Sequence, residues 1–281
     1  MEKIAILADI HGNLEALQAT IADISAWSPD MVMVAGDIVN RGPRSSACLE
    51  LVLHMANQHG WHLMRGNHER YLLSYSQERL QHNFPHQSAE HALSRVIAWT
   101  HDQLVDRVAT VAALPEQLRF TLDAGPLVIY HASIRHDRDG LMQATPEVEL
   151  RNQIDPTAVI FCAGHTHMPF VRQLSDTLVV NVGAVGLPFD GDRRAAYARL
   201  TRGSQHWSAT IMRIPYDVDS AERAFHETGM LDQVGAHGRL MLRELQTGRS
   251  LLFPFINSYH ARVSAGVLSI DQAVDEFMDS F

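Results

Sequence analysis

Within the first 70 residues, three short apolar runs are each followed at once by a polar, glycine-containing turn. Residues 4–8 lead into Asp9-Ile10-His11-Gly12-Asn13, residues 31–35 into Gly36-Asp37-Ile38-Val39-Asn40-Arg41-Gly42-Pro43, and residues 61–64 into Arg65-Gly66-Asn67-His68-Glu69-Arg70. Between them lie two stretches with apolar residues at helical spacing: residues 14–27, with Leu14, Leu17, Ile21 and Ile24 on one face, and residues 44–58. The short runs suit buried strands and are too short for helices. Strand, helix and strand in alternation predict a largely parallel sheet covered by helices, since a parallel pair needs a crossover connection. Ligands of such sheets bind off the carboxyl ends of the strands, where these polar turns must converge.

The pattern changes over residues 71–115, which are helical in character and rich in His and Gln. This segment is expected to be a helical cap insertion on the sheet edge, a candidate lid. Strand signals return at residues 118–122, 127–131, 158–163, 170–174, 178–182, 195–200 and 206–214. Their close spacing after residue 158 predicts antiparallel pairing and a second sheet facing the first. From residue 217 the chain reads as helices, including 221–226, 251–263 and 270–278. The expectation is a single α/β domain over residues 1–281, with the cap at 71–115 and a helical C-terminal extension at 217–281.

Charge narrows the partners. Lys and Arg number 23 against 32 Asp and Glu, a net charge of −9, and duplex binding draws its affinity from neutralised phosphates. No long nucleic acid is therefore expected, while a small phosphorylated ligand stays open. The two cysteines, Cys48 and Cys162, cannot build a disulfide framework and are expected to be buried thiols in a reducing compartment. The apolar run at residues 4–8 is too short for a secretory or membrane-spanning segment. No membrane partner and a cytoplasmic location are expected.

Histidine is abundant, with 17 residues, and five strand ends carry groups suited to metals: Asp9 with His11, Asp37, Asn67 with His68, His131, and His165 with His167. Asp and Asn also close turns and cap helices, but that does not explain five such placements in one chain, all at strand ends. Carboxylate, imidazole and amide oxygen without thiolate suit divalent Mn, Fe, Zn, Co or Ni. One carboxylate can bridge two ions, and Asp37 is placed for that.

Asp9-x-His11-Gly12-Asn13, Gly36-Asp37 with Asn40-Arg41-Gly42, Gly66-Asn67-His68-Glu69, His131 and Gly164-His165-x-His167 resemble, in order and spacing, the blocks of the calcineurin-like metallophosphoesterases over about residues 1–200. The resemblance implies a four-layer αββα sandwich of two mixed sheets flanked by helices, with a dinuclear centre at the sheet rim. It assigns Asp9, His11, Asp37 and His167 to one ion and Asp37, Asn67, His131 and His165 to the other. His68 would protonate the leaving oxygen, and hydrolysis would proceed without a covalent enzyme intermediate. Arg41 is the expected phosphate contact, because a guanidinium fork matches phosphate oxygens. Related protein phosphatases and dinucleoside polyphosphate hydrolases carry Asp before this arginine, whereas this chain has Asn40. An amide oxygen can accept a hydrogen bond and orient His68 without a full charge to stabilise imidazolium, which predicts a less basic His68. Residues 181–192 resemble a recurrent block of bacterial members, expected to be a turn that brings backbone to the metal rim, its acids forming turns and not ligating.

The leading expectation is a dinuclear metal-dependent hydrolase of a small phosphate ester, with a nucleotide among the candidates. Protein phosphatase-like and dinucleoside polyphosphate hydrolase activities stay open beside it, as does a non-catalytic metal-binding scaffold of the same fold. A metal amidohydrolase ranks last, having no role for Asn67 or Arg41. His82, His86, His91 and His101 are expected to be solvated or capping, and Trp99 and Cys162 to be core. The amphipathic stretches with Leu251, Phe255, Val274 and Phe277 are expected to pack as core, with a homo-oligomer interface as the competing reading.

Overall fold

The structure, a computed structural model, describes residues 2–81, 89–203 and 206–280, with side chains for all of these except 79–81 and 89–93. His82 and His86 lie outside the described residues, as does the side chain of His91.

Among the described residues, ten strands form two five-stranded sheets. The first contains β1 (Lys3–Leu7), β2 (Met31–Ala35) and β3 (His62–Met64), all parallel, with α1 (Leu14–Trp27) and α2 (Ser45–His59) as crossovers. The second contains β4 (Gln117–Leu122), β5 (Gly125–Tyr130), β6 (Ile160–Ala163), β7 (Phe170–Gln173) and β8 (Leu178–Asn181), in the order β4-β5-β6-β8-β7. The last strands, β9 (Ala195–Arg202) and β10 (Trp207–Ile214), return to the first sheet, where β9 pairs antiparallel with β1.

The second sheet faces the first as expected, but the antiparallel pairing expected from the close spacing after residue 158 holds only in part. Spacing constrains only the hairpins β7–β8 and β9–β10, and both are antiparallel. It does not say which sheet a hairpin joins, and β6 pairs parallel with both β5 and β8. The crossover from β5 to β6 carries a further helix, α6 (Glu147–Gln153).

Strand alternation explains the layers, because successive side chains point to opposite faces. Ile4 and Ile6 of β1, Met33 and Ala35 of β2, Leu127 and Ile129 of β5, and Ile160 and Cys162 of β6 meet between the sheets. Ala5, Leu7, Val32 and Val34 face the other way, onto Leu17 and Ile24 of α1 and Leu49 and Val52 of α2. Val128, Phe161 and Val179 likewise face Leu150 of α6 and Ile154. Helix, sheet, sheet and helix thus stack in four layers. Both cysteines are buried and free.

The segment expected as a cap forms α3 (Asn67–Gln81), α4 (Ala89–Leu104) and the short α5 (Val108–Ala112). Helix α3 starts four residues earlier than that segment, inside the Asn67-His68-Glu69 block. His101, expected to be solvated or capping, is buried in the last turn of α4 with its ring 5.4 Å from that of Tyr75. Trp99 packs with the C-terminal helices, while Ile97 and Leu104 face the core of α1 and α2.

Those helices are α7 (Val218–Glu227), α8 (Met230–Val234), α9 (Ala236–Thr247), α10 (Leu252–Ser264) and α11 (Ile270–Met278). Leu240, Leu251, Phe255, Val274 and Phe277 form one buried cluster among them. Phe225, Met241 and Leu245 form another with Val96 and Leu187, joining the extension to the sandwich. No described helix is long and apolar enough to cross a membrane.

Candidate metal centre

The loops after β1 and β2 lie side by side, joined by hydrogen bonds from Asp9 N to Gly36 O, His11 N to Asp37 O and Gly12 N to Ile38 O. The loop after β3 passes at once into α3, whose first turn carries Asn67, His68 and Glu69. Each Glu69 oxygen accepts two backbone N–H groups: Oε2 those of Asp37 and Gly66, Oε1 those of Ile38 and Val39, at 2.7–3.1 Å. This buried carboxylate ties the second loop to the third. Burial, then the charge of Asp37, pushes its carboxyl up to about 7 despite the N–H donors.

Eight non-glycine residues among those described have positive φ, and seven of them are Asp9, His11, Asp37, Asn40, Arg41, His165 and His167. The left-handed region is uncommon for non-glycine residues and gathers at functional sites. Two glycines give the ligands room. A Cβ at Gly66 would overlap the Asp37 carboxylate, and one at Gly164 that of Asp9.

The structure brings the side chains of all seven expected ligand residues together, buried or nearly so. Asp9, His11 and His167 form one group whose ligand atoms lie within 4.8 Å of one another; Asp37, His131 and His165 form a second. Asp37 stands between them, its Oδ2 3.1 Å from His131 Nε2 and 3.7 Å from His11 Nε2. Asn67 Oδ1 is 2.9 Å from both His131 Nε2 and His165 Nδ1. His11, Asp37 and His68 form a third such group, so proximity alone does not set His68 apart from the ligands.

Hydrogen bonds on the far side of the rings set the donor atoms. His131 Nδ1–H donates to Ala35 O at 2.9 Å and His167 Nδ1–H to Leu187 O at 2.5 Å, which turns each Nε2 toward the centre, with its lone pair available there when the ring is neutral. His11 and His167 approach each other through Nε2 at 3.2 Å. Asp9 Oδ1 is buried with no hydrogen-bond partner among the described residues. A buried, unpartnered carboxylate oxygen among converging imidazoles fits a cation.

Protonation follows the same geometry. Burial holds His11 well below its ordinary value and lowers His165 to about 4 and His68 to about 3. Burial also opposes charge on His131, but the Asp37 and Asp9 carboxylates outweigh it and carry the ring up to about 10. Asp37, which burial alone would raise, is held well below the carboxylate range by His131 and His68.

Asn40 orients His68 differently from the sequence expectation. Its Oδ1 already accepts the Arg41 N–H at 2.9 Å and the Thr100 hydroxyl, from α4, at 3.1 Å. The Nδ2 group therefore donates to His68 Nδ1 at 2.7 Å. Nδ1 is the acceptor, and the proton of the neutral ring sits on Nε2, which lies 4.0 Å from Asp37 Oδ2. An imidazolium would set two donors against each other here, so the amide disfavours the charged ring instead of merely failing to stabilise it.

Arg41 lies beside the centre, its guanidinium paired at 2.6 Å with Glu244 of α9 and 5.4 Å from the ring of Phe189. Phe189 in turn stacks on His167, ring centroids 4.3 Å apart. Arg65 pairs with Glu116 and Arg70 with Asp137. In the block at 181–192, Gly186 N donates to Asp9 O, bringing backbone to the rim. Its acids do not ligate, for Asp190 pairs with Arg213 and Asp192 with Arg194. A cleft of about 300 Å³ opens beside His131, lined by Arg65, Arg70, Tyr130, Arg135, His136 and Asp137 among others.

Sequence reasoning assigned no role to Glu69, Phe189 or Glu244. Glu69 had a signal, an acid in the first turn of a helix opening on a glycine loop. Phe189 lay in the block at 181–192 expected at the rim, but nothing there marked its ring, and Glu244 had no signal, because its partner Arg41 lies far away in the chain.

Comparison with known proteins shows the family and the fold. Residues 2–204 match the calcineurin-like phosphoesterase superfamily domain, a match that stops short of α7 to α11. An uncharacterized protein of Methanocaldococcus jannaschii is 27% identical over 247 residues, covering 78% of this chain and 89% of the relative. An asymmetrical bis(5'-nucleosyl)-tetraphosphatase of Halalkalibacterium halodurans is 29% identical over 149 residues, covering 48% of this chain and 58% of that protein. The crystal structure of a metallophosphoesterase from Sphaerobacter thermophilus superposes with a TM-score of 0.68 at 25% identity, covering 88% of this chain and 99% of that one. A hypothetical protein from Pyrococcus horikoshii shares the fold, with a TM-score of 0.72 at 17% identity over 89% of this chain and 100% of its own.

Proposed function

The chain belongs to the calcineurin-like phosphoesterase superfamily and is a hydrolase of phosphate esters; we propose that it uses two divalent cations to cleave a small phosphorylated substrate, a nucleotide being the favoured class. The observation that carries this reading is the pair of adjacent donor groups, Asp9 with His11 and His167 and Asp37 with His131 and His165, with Asp37 Oδ2 3.1 Å from His131 and 3.7 Å from His11. Asp9, His11, Asp37 and His167 would hold one ion, and Asp37, Asn67, His131 and His165 the other. The donor set suits Mn, Fe, Zn, Co or Ni. Bound there, such ions supply Lewis acidity toward the phosphoryl oxygens.

The remaining roles belong to the chain's own side chains. Arg41 binds a phosphoryl oxygen through guanidinium donors not taken by Glu244. His68 directs Nε2–H at the leaving oxygen and, with Asn40 donating to Nδ1, serves it first as a hydrogen-bond donor. The cleft beside His131 takes the rest of the substrate, and α3 and α4 act as the cap, coupled to the site through Thr100 and Asn40. A small substrate agrees with the cleft's volume and with the net charge of −9, which disfavours long nucleic acids. The nucleotide preference draws on the tetraphosphatase relative. The two free, buried thiols suit the reducing cytoplasm, where we place the protein.

The test is hydrolysis of p-nitrophenyl phosphate, its bis-ester and a nucleotide panel, with metal content measured on the same sample. Metal-stimulated turnover that His68→Asn abolishes is the expected result. Metal binding without turnover on any of these would overturn it in favour of a binding scaffold.

A further inference from the structure

The side chain that holds Arg41 comes from outside the family-matched residues. Glu244 on α9 is fully buried, and its two oxygens do different things. Oε2 pairs with Arg41 Nη2 at 2.6 Å, while Oε1 accepts the N–H groups of Leu251 and Leu252 at 2.8 and 2.9 Å, where α10 begins. A carboxylate anchored by two backbone donors cannot swing, so the position of its second oxygen is set by the C-terminal helices. Arg41 itself has φ 69°, rests near Phe189 and lines one small cavity with His11. Its Nε is buried without a hydrogen-bond partner among the described residues. One edge of the guanidinium is therefore fixed, and donors remain for a ligand.

We infer that Glu244 is a positioning residue for phosphate recognition, through which the C-terminal helices hold Arg41 in place at the metal centre. This rests on the reading of Arg41 as the phosphate contact. An arginine held in advance does not lose side-chain freedom when phosphate binds, and that pre-organisation strengthens binding. Were Glu244 a competitor for Arg41 instead, removing its charge would tighten phosphate binding.

Glu244→Gln separates the two jobs, because an amide oxygen can still accept from Leu251 and Leu252 while the NH₂ group faces the guanidinium. On manganese-loaded protein, the variant is expected to weaken inorganic phosphate binding by calorimetry about tenfold and to raise KM for p-nitrophenyl phosphate by a similar factor. The value of kcat should stay within about threefold, with metal content unchanged. Arg41→Ala should weaken phosphate at least as much, and Glu244→Gln should add nothing in the Arg41→Ala background. Unchanged phosphate affinity in Arg41→Ala would refute the role of Arg41 itself. Weakened binding in Arg41→Ala, with wild-type or tighter binding in Glu244→Gln, would overturn the inference while leaving Arg41 in place. Should Glu244→Gln not fold, Glu244→Asp keeps the charge and withdraws the oxygens by one methylene. A smaller loss in the same direction is then expected, and wild-type affinity would overturn the inference.

Discussion

The two sheets face one cluster of donors with different chemistry. The first sheet contributes, through the loops after β1, β2 and β3, both carboxylates, the His11 ring, the Asn67 amide and the Asn40, Arg41 and His68 group. The second contributes only imidazoles: His131, His165 and His167. The bracing differs accordingly. On the acidic wall Glu69 gathers backbone N–H groups and so fixes the loops. On the imidazole wall, carbonyls of Ala35 and Leu187 take Nδ1–H and so fix the rings. The carboxylate charges sit on one side, and imidazoles alone on the other. Removing a group from the acidic wall should therefore do more damage than removing one from the imidazole wall.

The largest expected effect is that of Asp37→Asn, which removes the charge that stands between the two donor groups. Activity should fall about a thousandfold or more, with neither ion retained on gel filtration. His165→Asn on the opposite wall should keep one ion and part of the activity. Equal losses of metal and rate in the two variants would break the comparison. Next comes His68→Asn, expected to lower kcat by a factor of about 10² to 10⁴ at unchanged metal content. Loss of metal in that variant would move His68 into the ligand set, as the group it forms with His11 and Asp37 allows.

Glu69→Gln sharpens the comparison through stability. Its amide would set two N–H donors against the backbone donors that Oε2 now accepts, and denaturant unfolding of metal-stripped protein should show a loss of about 2–4 kcal/mol. An unchanged midpoint would mean that the loops hold themselves. The smallest effect is expected for Asn40→Asp, a change of rate of only a few fold. Its signature is in the ¹⁵N spectrum of His68: Nδ1 unprotonated in the native protein, and protonated, with a raised ring pKa, in the variant. A protonated Nδ1 in the native protein would contradict the donor assignment of Asn40.

Much of this arrangement was legible in the residues. The unbroken apolar run of Ile4, Ala5, Ile6 and Leu7 specified a buried strand, and Leu14, Leu17, Ile21 and Ile24 marked the buried face of α1, with Asn13 capping its start. The polar turns named the donors because strand ends in open α/β sheets converge. What escaped depended on distant partners. The pairing of β9 with β1 joins Ala198 to Ile6, and nothing near either residue announces the other. The direction of the Asn40 amide depends on Thr100 of α4, and the fixing of Arg41 on Glu244 of α9. The positive φ of Asp9, His11 and Asp37 likewise had no glycine at these positions to announce it, although Asp and His tolerate that region better than most residues.

Titrating manganese into chelator-stripped protein while counting bound ions tests the shared-carboxylate centre most directly. Two ions per chain are expected, with protons released on binding because His131 must give up its own, and none held once Asp37 is replaced by Asn. A native chain that binds no manganese, or that hydrolyses phosphate esters undiminished after exhaustive chelation, would contradict the account.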